Sequence, residues 1–225
     1  MSKQYRKNIG FTSKGKCFEF LKGKDIVCIN WDLLKLYNLR LIDIGQRVQK
    51  QLIVPNPINV ESFLLDAFNV MKRNSIIETL NNHGRANENV YYDWMLGYMI
   101  ESLFTPLIQK ELNLNQVVRI GGDDLTNPET FKRKSTPDLS DPTQNIVIDV
   151  QCGSGEGKIT IKKSKVDNVL RNGYNGYAVT IGLATGLYGV IHLNPLKKVN
   201  FVPNASWEGT LCWTAPNDIL KPWHL

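Results

Sequence analysis

Cysteine and histidine are scarce, and the few present are not arranged for a metal or disulfide framework. The four cysteines, Cys17, Cys28, Cys152 and Cys212, form no CxxC pair, and none of the three histidines stands at ligand spacing from any of them. That spacing argues against a structural zinc site and for reduced thiols packed as small apolar groups. No Ser/His/Asp arrangement is apparent, since His192 falls in an apolar stretch and His224 at the chain end. No run approaches the roughly 18 apolar residues that cross a bilayer. The basic opening, Met1–Lys16, is not followed by the apolar segment of a secretory leader. Repeats and low-complexity segments are also lacking. The expectation is a cytoplasmic protein with no membrane association.

What is present is an ordinary globular composition with a basic bias. Of 225 residues, 42% are hydrophobic and 21% charged, which supports a packed core and argues against disorder. Lys and Arg number 27 against 21 Asp and Glu, for a net charge of +6. An excess of that sign favours a polyanionic partner, because cations placed at phosphates release condensed counterions.

Periodicity places the elements. Ile26–Ile29 reads as a strand, and Trp31–Arg40 as a helix capped by Asn30. From Val60 to about Leu80, Phe63, Leu64, Ala67, Phe68 and Met71 recur at helical spacing, and Asn81–Gly84 ends that helix. A longer helix spans about Asn89 to Leu112, with Pro106 expected to kink it. Gln116–Ile120 is a short strand, and Asp123–Thr136 a polar loop. Pro137-Asp138-Leu139 leads through the turn Asp141-Pro142-Thr143 into the β-branched run Asn145–Gln151. Lys158–Lys162 alternates like a strand, 163–171 reads as helix, and Tyr177–Leu183 and Leu187–Leu193 as paired strands. Helix, strand, Pro-Asp, strand, helix, strand, strand describes an α/β chain with a mixed sheet.

The chemistry lies in Pro137-Asp138, ten residues, then Asp149-Val150-Gln151. The turn between them would fold the two strands side by side and bring the two carboxylates together. Oxygen-rich ground of that kind suits Mg²⁺. Asp149 and Gln151 lie two apart and share a strand face, and the carbonyl of Val150 is a further candidate ligand. Such a site suits phosphodiester hydrolysis, in which the ion lowers the pKa of a bound water and stabilises the leaving oxygen. Gly153-Ser154-Gly155-Glu156-Gly157-Lys158 is not a phosphate loop, because Cys152 replaces the first Gly and Ile159 the final Ser or Thr of that template.

These residues resemble the PD-(D/E)xK nuclease signature. Glu101, in Ile100–Ile108, is similar to the Glu carried by the helix before the core in EcoRV-like restriction enzymes. The similarity covers roughly residues 90–165. The resemblance implies a restriction-endonuclease-like mixed central sheet flanked by helices. It implies a type II restriction endonuclease that hydrolyses double-stranded DNA with Mg²⁺, leaves 5′-phosphates, works as a homodimer and is matched by a cognate DNA methyltransferase. Asp138, Asp149 and the Val150 carbonyl would hold the ion, Gln151 would orient water, and Glu101 would support a second ion or a water. Gln151 stands where the family usually has Lys, as in BglII; it cannot supply positive charge, so Lys158 and Lys162 are candidate replacements.

The chain is expected to form one domain over 1–225, with a catalytic core at about 89–195 and a preceding segment that elaborates dimerisation or DNA binding. Lys158, Lys162, Lys163, Lys165 and Arg171, with Arg133 and Lys134, are candidate phosphate contacts. Asn82, Arg85, Asn172 and Asn175 lie in polar loops that could read base edges. Alternatives are a repair or junction-resolving nuclease of the same fold, and a DNA-binding protein that has lost activity.

Overall fold

The computed structural model describes residues 29–52, 57–80, 85–121, 125, 136–153, 159–204, 209–215 and 217–223. By its contacts the chain divides into two compact units: Met1–Ile44, Asn59–Leu96 and Asp124–Phe131 in one, and Gly45–Ile58, Gly97–Asp123 and Lys132–Leu225 in the other. No helix among the described residues is long and apolar enough to cross a membrane.

The first unit is helical. Helix α1 (Trp31–Leu52) starts where expected, with the Leu33 N–H donating to Asn30 Oδ1 at 3.0 Å. It runs well past Arg40 because Leu34, Asn38, Leu41, Gly45 and Val48 continue one buried stripe through the polar stretch. Helix α2 (Val60–Arg73), capped by Asn59, ends earlier than periodicity suggests. Ser75 adopts φ 52°, and the Asn74 amide donates to the Val70 carbonyl at 2.8 Å, so the apolar pair Ile76 and Ile77 falls in a separate turn, α3 (Ile76–Thr79). The proposed stop at Asn81–Gly84 lies outside the described residues, as does the strand read at Ile26–Ile29 apart from Ile29, which is in no strand. Trp31, Phe68 and Tyr91 form an edge-on aromatic series, and the buried Tyr91 hydroxyl donates to Asn38 Oδ1 at 2.6 Å.

Helix α4 (Asn87–Glu111) runs on through Pro106, close to its expected bounds. In the second unit, six strands among the described residues form a mixed sheet: β1 (Val118–Arg119), β2 (Leu139–Asp141), β3 (Ile146–Gly153), β5 (Asn175–Gly182), β6 (Leu187–His192) and β9 (Lys221–Pro222), adjacent in that order. A second, antiparallel sheet joins β4 (Thr160–Lys162), β8 (Thr210–Thr214) and β7 (Val202–Asn204).

The β2–β3 hairpin is the one read from the sequence, with Leu139 opposite Ile148 and Asp141 opposite Ile146. Asp141 makes its turn. The buried carboxylate accepts from the N–H groups of Asn115, Gln116 and Thr143 and from the Thr143 hydroxyl. Burial pushes this carboxyl up, but the four donors outweigh that and hold it below its ordinary value.

Strand β3 pairs in parallel with β5, and helix α5 (Lys163–Arg171) lies between them in the chain. Alternation sorts the β3 side chains. Val147 joins Val166 and Val169 of α5, Ile159, Ile161, Ala178 and Ile191 in one apolar cluster. On the opposite face, Tyr188 reaches Glu111 of α4 at 2.9 Å. The sheet thus has α5 over one face and α4 over the other. Gly176 lets α5 sit close: a Cβ there would press on both methyls of Val169, 2.8 Å from Cγ2.

Two stability outcomes are expected. Gly176→Ala should cost about 1–3 kcal/mol by overpacking, measured by chemical denaturation, and Val169→Ala in the same chain should recover part of it. Asp141 has a depressed folded pKa, so its contribution is full above the ordinary carboxylate range near ~4 and is lost as pH falls through the folded value. Asp141→Asn should therefore lower the thermal midpoint at neutral pH and flatten its decline in acid; an unchanged acid profile contradicts the assignment.

Candidate functional site

Asp138 stands one residue before β2 and is tied to β3 at two points and to the residues after β1 at a third. Its N–H donates to the Ile148 carbonyl at 3.0 Å, its carbonyl accepts from the N–H groups of Ile120 and Gly121, and its Oδ2 accepts from the Val150 N–H at 2.7 Å. The two acids flagged by the sequence therefore flank one short stretch of β3. Asp149 lies within β3, not at its end, and is only 4% exposed. In an extended strand the N–H and C=O of one residue point the same way. The Val150 carbonyl therefore emerges on the Asp138 side of β3, beyond the last β2 pairing.

A charged carboxylate this deep in a sheet needs partners. Gln151, on the same strand face, donates from Nε2 to Asp149 Oδ2 at 3.0 Å. The second partner is Lys165 of α5, whose ammonium donates to Asp149 Oδ1. Burial pushes the Lys165 ammonium down, yet Asp149, aided by Asp138 and Glu101, more than offsets it and leaves the pKa above its ordinary value. Lys165 is therefore a charged group held at Asp149 by the helix that follows.

Helix geometry explains the placement. Val166 and Val169 are the buried positions of α5. Lys165 precedes Val169 by one turn, so it lies on the sheet-facing flank. Lys162, one of the two candidate replacements, is the exposed residue at the start of α5, and Lys158 lies outside the described residues. The sequence reading places Lys165 only among the candidate phosphate contacts and names Lys158 and Lys162 for the motif's lysine. The signal was its spacing from Val169.

Glu101 has a different partner. Arg119 Nη1 donates to Glu101 Oε2 at 2.6 Å, while Nη2 donates to the Tyr98 carbonyl at 3.3 Å and to Ser102 Oγ at 3.1 Å. The guanidinium lies over the Tyr98 ring at 4.3 Å. Arg119 was not singled out in the sequence, where a two-residue strand carries little pattern. Cys152 shares the Glu101 face, and burial with that carboxylate pushes its thiol up to about 12, so it stays protonated.

The other candidates are dispersed. Arg133, Lys134 and Asn82 lie outside the described residues. Lys163 pairs with Asp167 at 2.7 Å and Arg85 with Asp93 at 2.5 Å, exposed pairs that a phosphate could exchange for little. Asn172 bonds back to the Asn168 carbonyl, and Asn175 Oδ1 accepts from His192 Nε2, whose ring is exposed and stacked on Tyr177.

The donor set suits a hard divalent cation. Among the described residues no group of three or more His, Cys, Asp or Glu side chains is placed to hold a metal ion. A cation would therefore rest on Asp138, Asp149 and the Val150 carbonyl, with water completing its shell, as is common for Mg²⁺. No protein-family model, curated protein or solved structure matches the chain.

Lys165→Met leaves a buried carboxylate without its cation and should destabilise the fold by roughly 3 kcal/mol, measured by chemical denaturation. Adding Asp149→Asn should restore much of that loss; strictly additive losses would mean that the two groups do not interact.

Proposed function

We propose that the chain is a Mg²⁺-dependent endonuclease of the PD-(D/E)xK kind, acting on double-stranded DNA, in which the motif's lysine is supplied by α5. The observation that carries this reading is the Lys165 ammonium bonded to Asp149, beside the Asp138 carboxylate. It provides the positive charge that Gln151 cannot. The basic composition supports a polyanionic substrate.

Each residue has a role in this reading. Asp138, Asp149 and the Val150 carbonyl hold the ion. A bound Mg²⁺ supplies Lewis-acid polarisation of the phosphodiester and a lowered pKa for the attacking water. Gln151 spends its NH₂ group on Asp149, which leaves its amide oxygen to accept a hydrogen bond from that water. Lys165 places positive charge against the phosphate as negative charge develops on it. Asp138 is kept in place by its bond to the Val150 N–H. The surrounding fold is restriction-endonuclease-like in this reading.

Within that class we favour a type II restriction enzyme working as a homodimer, leaving 5′-phosphates and paired with a DNA methyltransferase for the same site. Two-fold symmetry is the simplest way to cut both strands of a palindrome. A repair or junction-resolving enzyme would select structure instead, and a binding protein would not cut.

The test is incubation of unmethylated phage DNA with the protein and Mg²⁺, followed by sequencing of the fragment ends. Discrete 5′-phosphorylated ends at one short sequence are expected. Asp149→Ala should abolish cleavage, and Lys165→Met should slow single-turnover cleavage by about 10²-fold or more, while Lys162→Ala stays within about threefold of the parent. No cleavage by the parent with any divalent ion removes the enzyme reading.

A further inference from the structure

Asp149 has both oxygens in use. Oδ2 accepts from Gln151 Nε2 at 3.0 Å, and Oδ1 accepts from the Lys165 ammonium. The two donors differ in what they tolerate beside them. The Gln151 amide is neutral, and a carboxylate oxygen has lone pairs to spare, so an amide and a cation can share it. The ammonium cannot share in that way. Both oxygens belong to one carboxylate, so a divalent ion on either would lie within a few ångströms of the Lys165 charge. A divalent ion repels it more strongly than a unit charge would. Asp149 is only 4% exposed, so little water screens the two cations from each other.

Of the two, the ammonium is the one able to give way. Lys165 carries it on a long, flexible stem. Its side chain is 28% exposed, which leaves an open side to move into. Asp138 and Glu101 also attract it, which favours a short move over loss of the charge from the site.

We infer that Lys165 and the divalent ion compete for Asp149. The lysine holds the carboxylate until the ion takes it, and only then turns to the phosphodiester. The inference rests on the ion-dependent reading above, and the experiment separates the two.

Mn²⁺ is titrated into the full-length protein without DNA, and free ion is counted by electron paramagnetic resonance. Lys165→Met should bind Mn²⁺ about tenfold more tightly than the parent. Lys162→Met removes the same charge at the exposed start of α5 and should stay within about twofold of the parent. Chemical denaturation gives a second reading: saturating Mn²⁺ should stabilise Lys165→Met more than the parent. Circular dichroism monitors folding, and if Lys165→Met fails to fold even with Mn²⁺, Lys165→Gln takes its place with the same expectation. Tightening of less than about threefold in the folded Lys165 variant, or equal tightening by Lys162→Met, overturns the inference and leaves the ion-dependent reading standing. No Mn²⁺ on the parent or the Lys165 variant, or binding that Asp149→Asn leaves intact, removes both.

Discussion

The candidate site depends on one ion pair, Lys165 with Asp149, across the interface of α5 and β3. Taking a carboxylate out of water costs several kcal/mol unless a counter-charge and hydrogen bonds replace the solvent. Asp149 meets both conditions, with the ammonium at one oxygen and the Gln151 amide at the other. The same pair makes α5 part of the site. A helix held only by Val166 and Val169 could slide by small amounts along the sheet, whereas a buried charge pair tolerates little displacement.

The placement traces back to a missing side chain. Strands β3 and β5 are parallel, so the chain between them must cross over the sheet, and α5 covers that face. Gly176 on β5 offers Val169 a seat that any larger residue would fill. Seating Val169 sets the height of the helix, and Lys165 lies one turn before it, over Asp149. The chain from backbone topology to glycine to valine to lysine is short, and each step is steric until the last. Each acid has its own cation: Glu101 is answered by Arg119, and Asp149 by Lys165.

Much of this arrangement is legible in the sequence, for identifiable reasons. The hairpin and the two acids show because Asp141-Pro142-Thr143 is strong turn chemistry and Ile146–Ile148 an unbroken β-branched run. The bounds of α4, α5 and the β5–β6 pair follow from strong periodicity. The early end of α2 does not, because a left-handed Ser75 carries no glycine to announce it. The extension of α1 is hidden because its buried stripe beyond Arg40 runs through Gly45, a poor helix former. Arg119 and Lys165 are hidden for a different reason. Their roles are set by contacts with distant elements, and a strand of two residues or a lysine among lysines carries no local mark of such contacts.

Gln151 is the residue that makes sense of the rest. In the proposed nuclease site the strand position two after Asp149 would have two physical duties, a hydrogen bond to the neighbouring carboxylate and a positive charge near the phosphate. A single lysine can discharge both, but here they are divided. Gln151 gives the hydrogen bond with an uncharged, planar amide, and Lys165 gives the charge from above. Division has a consequence for the electrostatics. A strand lysine in addition to Lys165 would bring a second ammonium to Asp149, and the two would repel within a few ångströms in a low-dielectric setting. Glutamine on the strand and lysine on the helix are therefore a matched choice, in which each residue is tolerable because the other is present.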